Sequence, residues 1–313
     1  SNVDWGQDLI FLHQLLLERG IGEVYLSYFG TALPEKYGIV YKPLPGFMRF
    51  TAGAEIDAYN PYTPPPGWYA ISETSRRLGL MLQNTDMFAY FQDKEPVACA
   101  GYSICLYRVE YPAGVPVDRV VVADGRSVSD IAPEELGVVN GRRLIAKWVQ
   151  PPAKIVPVGE NFVLPDGFQA APANFDGAFA LLGYDWGGGG ETAVSPGDTL
   201  YLTLYWHVAS GEVAVPYPSQ AAPLAAFVHL SAAAAPAQIV AQYDGWPAAL
   251  TGLEPGDVLI QPLALQVSPA APEGDYVIRV GLYSPQSGLR LPLVSPAGDS
   301  LDLTPVVIAT PDT

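Results

Sequence analysis

The chain has 313 residues, of which 49% are hydrophobic and 15% are charged, and its formal net charge at pH 7 is −16. This length suits two domains of ordinary size, and the apolar content predicts a folded rather than a disordered chain. The acidic balance argues against nucleic acid as a partner, because a negative surface repels phosphate groups. From Asn174 onward the imbalance is strongest, since 13 acidic residues stand against only Arg279 and Arg290.

We also predict neither a membrane span nor a signal peptide. The longest stretch without a charged residue, 213–243, has the length of a span, but it contains four prolines and His229. A lipid-exposed helix would have to satisfy such polar and helix-breaking positions internally, so this stretch is not read as a span. The first residues lack the charged, apolar and small-residue order of a signal peptide.

The first hundred residues mix helical and strand patterns. Apolar residues recur at helical spacing over 7–19, and Gly20 is placed to end that helix. A second helix is predicted from Thr85 or Asp86 to about Lys94. Runs of β-forming residues predict strands at 24–29, 67–72 and 102–110. Together these elements predict an α/β domain over residues 1–111.

The two cysteines, Cys99 and Cys105, lie six positions apart around the last of these strands. If the strand is continuous, about 20 Å separates them, well beyond the ~7 Å Cα–Cα limit for a disulfide. We therefore predict two free thiols. No pair of His or Cys residues has the spacing of metal ligands, so no metal site is predicted. The sequence also lacks the Gly-x-x-x-x-Gly-Lys phosphate loop and other well-known signatures, so no cofactor is predicted.

The rest of the chain has β patterns. Residues 112–173 show strand patterns at 117–122, 143–149 and 162–164, and we treat them as a β-rich connector whose domain is left open. Apolar and polar residues then alternate with period two, most clearly over 200–207 and 276–283. Further strands are predicted at 178–184, 224–231, 238–243, 258–267 and 301–308.

Turn signals recur just before these strands. They are Ser195-Pro196-Gly197-Asp198, Glu254-Pro255-Gly256-Asp257 and Pro272-Glu273-Gly274-Asp275. In such turns Pro presets φ, while Gly tolerates positive φ. Short strands separated by such turns predict an immunoglobulin-like or fibronectin-like β-sandwich over 174–313.

Several motifs in the first third of the chain carry a family resemblance. They are Asp4-Trp5-Gly6-Gln7-Asp8-Leu9, Val24-Tyr25-Leu26-Ser27-Tyr28-Phe29-Gly30, Pro34 with Tyr37 and Gly38, Gly67-Trp68-Tyr69-Ala70-Ile71-Ser72, Phe88-Ala89-Tyr90-Phe91 with Glu95-Pro96-Val97-Ala98, and Gly101-Tyr102-Ser103-Ile104 with Leu106-Tyr107-Arg108-Val109. The block resembles the segment after the last membrane span in bacterial polytopic glycosyltransferases that use lipid-phosphate-linked sugars, similar to protein O-mannosyl and aminoarabinose transferases.

The resemblance also says what this chain lacks. In such transferases the catalytic aspartate lies in an early extracytoplasmic loop between membrane spans, and this chain has no counterpart of that loop or of the spans. The resemblance therefore implies a non-catalytic soluble region on the extracytoplasmic face of the cell membrane, attached to a membrane domain in the parent protein.

A binding cleft is predicted where the first helix begins. If that helix packs antiparallel on the first strand, its N-terminus lies beside the carboxyl ends of the strands, where ligands of α/β sheets commonly bind. Aromatic faces there suit the C–H surfaces of a sugar, and Asp or Gln suits its hydroxyls. The candidate ligand-binding residues are Asp4, Trp5, Gln7, Asp8, Ser27, Tyr28, Tyr37, Trp68 and Ser72.

A purely structural explanation of the same residues stays open. Asp4 is a suitable helix cap, Trp5 a hydrophobic staple, and Gly30 a residue for a tight turn. The pair Asp4 and Asp8 is reminiscent of glycosidase carboxylates. Two acids four residues apart are, however, more typical of favourable charges at the positive helix end, so no catalytic residue is predicted.

A second candidate surface lies on the sandwich. Tyr201 and Tyr205 share a strand face, and Trp186 and Trp246 fall in predicted loops, which together suggest a carbohydrate-binding platform. Packing under loops is the competing explanation. The acidic turns lack the alternating ligand pattern of a dedicated calcium loop.

The leading hypothesis is thus a non-catalytic extracytoplasmic region of a membrane glycosyltransferase that binds acceptor or product glycan, or a lipid-linked sugar. One competitor is a structural or protein-interaction module without sugar affinity. Another is a free-standing secreted carbohydrate-binding protein or glycosidase.

Overall fold

The computed structural model of the chain describes residues 6–44, 61–82, 86–125, 142–187, 193–210, 224–250, 252–285 and 288–310. The chain forms two compact units, with the boundary between Trp148 and Val149. The region predicted as a connector is divided by this boundary, so that its first two strands belong to the first unit and its remainder to the second.

The first unit is built on a mixed five-stranded sheet, sheet I. Its strands are β1 (Val24–Ser27), β2 (Tyr41–Pro43), β3 (Gly67–Ser72), β4 (Ala98–Ala100) and β5 (Ile104–Val109). The strand order is β2-β1-β3-β5-β4. Strand β1 runs parallel to β2 and β3, whereas β5 runs antiparallel to β3 and β4.

Both faces of sheet I are buried, and the side chains that alternate along β3 pack into two separate apolar clusters. Ala70 belongs to one apolar cluster, together with the buried leucines of helix α1 (Leu9–Glu18). Tyr69 and Ile71 point the other way and pack with Phe88 and Phe91. The predicted first helix and first strands are therefore present, with ends that differ from prediction by a few residues.

The second helix lies elsewhere than predicted. Helix α2 (Glu73–Leu82) follows β3 directly, and the Ser72 hydroxyl accepts the Ser75 backbone N–H at 3.1 Å, as an N-cap does. The predicted helix from Thr85 or Asp86 is wrong: apart from Thr85, which lies outside the described residues, the segment forms only a short 3₁₀ turn, Ala89–Phe91. Burial of Met87, Phe88 and Phe91 against sheet I explains this compact turn.

The prediction of two free thiols is also wrong. The chain does not run straight through 99–105 but reverses between β4 and β5, with Gly101 at a φ of +57° in the turn. Cys99 and Cys105 are thereby directly opposite each other on antiparallel strands, 4.0 Å apart at Cα, and form a disulfide. The predicted separation of about 20 Å was wrong because it assumed that both cysteines lie on one continuous strand.

A two-stranded parallel sheet completes the first unit. It pairs β6 (Val117–Val122) with β7 (Arg143–Trp148), close to the strands predicted there. Among the described residues, neither helix has the length and apolarity that crossing a bilayer requires.

The second unit is a β-sandwich, as predicted. Its strands are β8 (Lys154–Val156), β9 (Gln169–Phe175), β10 (Phe179–Trp186), β11 (Ala193–Val194), β12 (Thr199–Val208), β13 (Ala225–Ala232), β14 (Ala235–Gly245), β15 (Val258–Gln266), β16 (Gly274–Tyr283), β17 (Leu293–Ser295) and β18 (Leu301–Ile308). Sheet II has the order β17-β9-β10-β12-β15-β8, and sheet III has the order β11-β18-β16-β13-β14.

The core of the sandwich is apolar with a few satisfied polar groups. Trp206 on β12 is fully buried, and its indole N–H donates to the Gln261 side chain at 2.8 Å. The same amide donates to the Tyr243 hydroxyl of sheet III at 3.4 Å. This polar chain satisfies the buried indole and joins the two sheets.

The repeated turn motif has a shared mechanism in two of its three copies. Asp198 accepts the backbone N–H of Ser195, and Asp257 accepts that of Glu254, each at 2.9 Å. Asp257 is fully buried and also accepts the N–H of Val158 at 2.9 Å. These carboxylates therefore act as turn-forming acceptors, which is how Asp commonly stabilises a turn.

Candidate functional site

The structure brings part of the predicted cleft together at one edge of sheet I. Strands β1 and β3 are parallel neighbours, so Ser27 and Ser72 end adjacent strands, and both side chains are buried. The β4–β5 turn lies at the same edge, because the Ser103 carbonyl accepts the Glu73 N–H at 2.8 Å. The N-terminus of α1 reaches this edge through Asp8.

Asp8 is the central polar group of that edge, and it has a structural role. One carboxylate oxygen accepts the N–H of Tyr102 at 3.0 Å, the N–H of Ser103 at 3.0 Å and the Ser103 hydroxyl at 2.6 Å. The residue is only 6% exposed. A Cβ at Gly101 would lie 2.3 Å from the other oxygen, so glycine makes room for the carboxylate there. Through these hydrogen bonds Asp8 links the N-terminus of α1 to the β4–β5 turn.

The aromatic candidates of the first unit do not converge on one point. The Tyr28 hydroxyl donates to the Ala32 carbonyl just beyond β1. Tyr37 ends a 3₁₀ turn, Pro34–Tyr37, and packs half-buried against the α1 cluster. Trp68 lies at the opposite end of β3 from Ser72, with the Arg108 guanidinium 4.9 Å from its ring centroid.

Three further residues were predicted to line the cleft. Gln7 is exposed at the start of α1. Asp4 and Trp5 lie outside the described residues. The edge therefore gathers Asp8, Ser27 and Ser72, and the role of the cleft in binding stays a prediction.

On the sandwich, Tyr201 and Tyr205 do share the outer face of sheet II, but only Tyr201 is open, at 55% exposure. Tyr205 is buried beneath Phe162 and Phe168, with ring centroids 5.9 and 5.6 Å away. Its hydroxyl donates to Asp185, and burial together with that carboxylate raises the pKa of Tyr205. The strand predicted at 162–164 is wrong, because this segment is a loop that packs on the face of sheet II.

The two tryptophans of that predicted platform pack against the sandwich core: Trp186 is buried, and Trp246, which does lie in a loop as predicted, is partly buried. Trp186 is the last residue of β10 rather than part of a loop, and it packs edge-on to Tyr184. Trp246 lies after β14, with ring centroids 4.8 Å from Phe179 and 5.6 Å from Trp206. Both indoles therefore help to fill the sandwich core.

A different surface of the second unit gathers polar side chains from four neighbouring strands. Register places Gln242, His229, Arg279 and Asp302 side by side on β14, β13, β16 and β18. Residues directly opposite on antiparallel strands share a face, so all four lie on the outer face of sheet III. We call this surface the His229 face; its other members are Phe227, Asp244, Tyr283, Arg290 and Asp299.

The charged groups of the His229 face hold one another in fixed positions. Arg279 donates two hydrogen bonds to Asp302, at 2.7 and 2.9 Å, in the bidentate geometry that fixes both planes. Arg290 lies over the Phe227 ring, 4.4 Å from the centroid, and donates to Asp299 at 3.3 Å. The guanidinium groups are thus displayed on a rigid sheet.

His229 forms the middle of this surface. Its Nε2 lies 3.8 Å from an Asp244 carboxylate oxygen. Burial lowers the pKa of His229 below its usual value; the charge of Asp244 opposes that shift and Arg290 adds to it. Burial, assisted by Asp244, raises the pKa of Tyr283. At neutral pH the surface therefore offers an uncharged imidazole and a protonated phenol.

Gly281 leaves room for the Phe227 ring, which forms the aromatic floor of the His229 face. A Cβ at Gly281 would lie 2.3 Å from the Phe227 ring and 2.9 Å from the Asp299 carbonyl oxygen. Only a residue without a side chain leaves space for that ring. Sequence reasoning missed this surface, although its signal was present in Arg279 and Arg290, the only basic residues from Asn174 onward.

Comparisons with known proteins add little. No family model matches the chain, and no curated protein matches it. Among solved structures, the crystal structure of the C-terminal domain of Wzt is similar with a TM-score of 0.30 and 10% sequence identity, over 47% of this chain and 84% of that chain. The function is therefore argued from the residues of this chain.

Proposed function

We propose that this chain is a non-catalytic, extracytoplasmic region of a membrane glycosyltransferase that uses lipid-linked sugars, and that it binds acceptor or product glycan. The observation that carries the non-catalytic role is Asp8. Its carboxylate is buried and engaged by three donors from the β4–β5 turn, which leaves it unsuited to protonate or attack a sugar.

Two features support the location and family in this proposal. A disulfide between Cys99 and Cys105 fits an oxidising compartment outside the cytoplasm. The motifs that resemble the transferase family fall on the framework of sheet I: one forms β3 entirely, and another forms the β4–β5 turn. The family-like residues thus specify a fold, consistent with a region that positions a ligand rather than one that reacts with it.

The test uses the full chain. We expect retention on a bacterial glycan array and no turnover of a polyprenyl-phosphate sugar or an aryl glycoside. Turnover that Asp8→Asn abolishes would overturn the non-catalytic role. Failure to bind any glycan would overturn the glycan role and would favour the competing hypothesis of a protein-interaction module.

One observation favours that second candidate, a protein-interaction module. Helix α1 exposes three large apolar side chains, Ile10, Phe11 and Leu17, the last at 67% exposure. Large exposed apolar side chains grouped on one helix are typical of a contact surface. A pull-down that captures a defined partner and is lost in Leu17→Glu would support the module.

A further inference from the structure

We infer that the His229 face is a saccharide-binding surface for uncharged, hydroxyl-rich glycans. This inference rests on the proposed glycan role and names its site and ligand class. The first argument is extent. The row from Gln242 to Asp302 crosses four strands, and three inter-strand spacings of about 4.8 Å make it roughly 14 Å long. That length accommodates an extended ligand rather than a single small ion.

The second argument is chemical. A sugar hydroxyl both donates and accepts a hydrogen bond, so it pairs best with a surface that offers both kinds of group. The Arg279–Asp302 pair presents fixed donors and acceptors side by side, and half of the Asp302 side chain is exposed. His229, Asp244 and the amide of Gln242 extend the same mixed pattern along the row.

The charge of the His229 face selects the ligand class. The face carries two arginines against the carboxylates of Asp244, Asp299 and Asp302, while His229 is uncharged at neutral pH. Both guanidinium groups are already paired with a carboxylate. An anionic ligand would meet this excess of negative charge, and the chain as a whole repels it as well. An uncharged glycan avoids that cost.

Ion-pair stability gives little reason to gather both arginines of the sandwich on one face. The Arg279 side chain is mostly buried, but its partner Asp302 is half exposed, as are Arg290 and Asp299, and ion pairs that water reaches contribute little to stability. Arg279 and Arg290 are the only Lys or Arg residues from Asn174 onward, yet they lie within one cluster around Phe227 and His229. A binding surface accounts for this concentration.

The experiment uses the full chain on an array of uncharged, uronic-acid and amino-sugar glycans, followed by calorimetry with the best uncharged glycan. We expect uncharged glycans to bind best and Arg279→Met to weaken affinity about tenfold or more, since it removes charged donors. Asp302→Asn is the second variant. The control is Arg142→Met, which breaks an exposed bidentate pair with Asp118 in the first unit.

The outcomes separate this inference from the proposed function. Loss of affinity in Arg279→Met or Asp302→Asn, with binding by Arg142→Met unchanged, supports the site. Full affinity in both sandwich variants overturns the site and leaves the glycan role standing. A preference for charged glycans overturns the ligand class. If the natural chain binds no glycan, both the glycan role and the proposed site are overturned.

Discussion

Asp8 and the His229 face use polar side chains in opposite ways. At the edge of sheet I, Asp8 is buried and satisfied by donors of its own chain, so it stabilises the fold. On sheet III, Arg279 and Arg290 are held by Asp302 and Asp299, whose side chains are about half exposed to solvent. The contrast teaches that a motif-like carboxylate can belong to the framework, whereas an extended polar surface arises from register between distant strands.

The largest expected effect is on the framework side of this contrast. Asp8→Ala removes the acceptor of three hydrogen bonds and leaves buried N–H groups unsatisfied, so the first unit should lose about 3 kcal/mol of its free energy of unfolding. Urea denaturation followed by circular dichroism measures it. Asp118→Ala, at an exposed carboxylate, is the control and should change stability little. Equal losses in both variants would remove the distinction between the two kinds of carboxylate.

The disulfide at the same edge gives the next effect. Cys99 and Cys105 close a short loop, so replacing both with Ser should cost about 2 kcal/mol. Thiol titration of the denatured chain without reductant should find no free thiol. Two titrating thiols would mean that Cys99 and Cys105 are not bonded to each other in the folded chain.

The aromatic floor of the His229 face provides a test of that surface. Gly281→Ala forces a Cβ into the space of the Phe227 ring, so we expect a loss of about 2 kcal/mol from overpacking. Gly22→Ala is the control, because a Cβ there meets nothing within 4 Å. Thermal melts compare the two. A neutral outcome at Gly281 would show that the floor is not rigid.

The smallest effect concerns pH. The pKa of His229 is lowered in the folded chain, so the unfolded chain binds the proton more readily and stability falls as pH drops below about 6.5. The groups facing His229 are Asp244, Arg279 and Arg290. His229→Gln should reduce this slope below about pH 6.5, measured by urea titration. An unchanged slope would mean that His229 titrates as it does in the unfolded chain.

Period-two alternation made the sandwich predictable from the sequence. The pattern at 200–207 and 276–283 lies within β12 and β16, because one face of each strand is buried and the other is not. The turn signals succeeded for a similar reason, since Asp198 and Asp257 act on a residue only three positions away. Structural features that depend on residues close together in the chain can be predicted from the sequence.

What escaped prediction depended on contacts between distant residues or on a choice between two local patterns. The reversal at Gly101 was hidden because β-forming residues continue on both sides of it. Helix α2 was missed, although the Ser72 hydroxyl caps it directly at the end of β3. The His229 face requires the register of four strands, from Gln242 to Asp302, which no local pattern contains.

The bond between Asp8 and Ser103 spans 95 positions of sequence and sets an order of events during synthesis. A chain made from its N-terminus exposes α1 long before the β4–β5 turn exists. At translation rates of about 5 to 20 residues per second the delay is on the order of ten seconds. A nascent chain that stops before Ser103 therefore cannot complete sheet I, however well its first helix has formed.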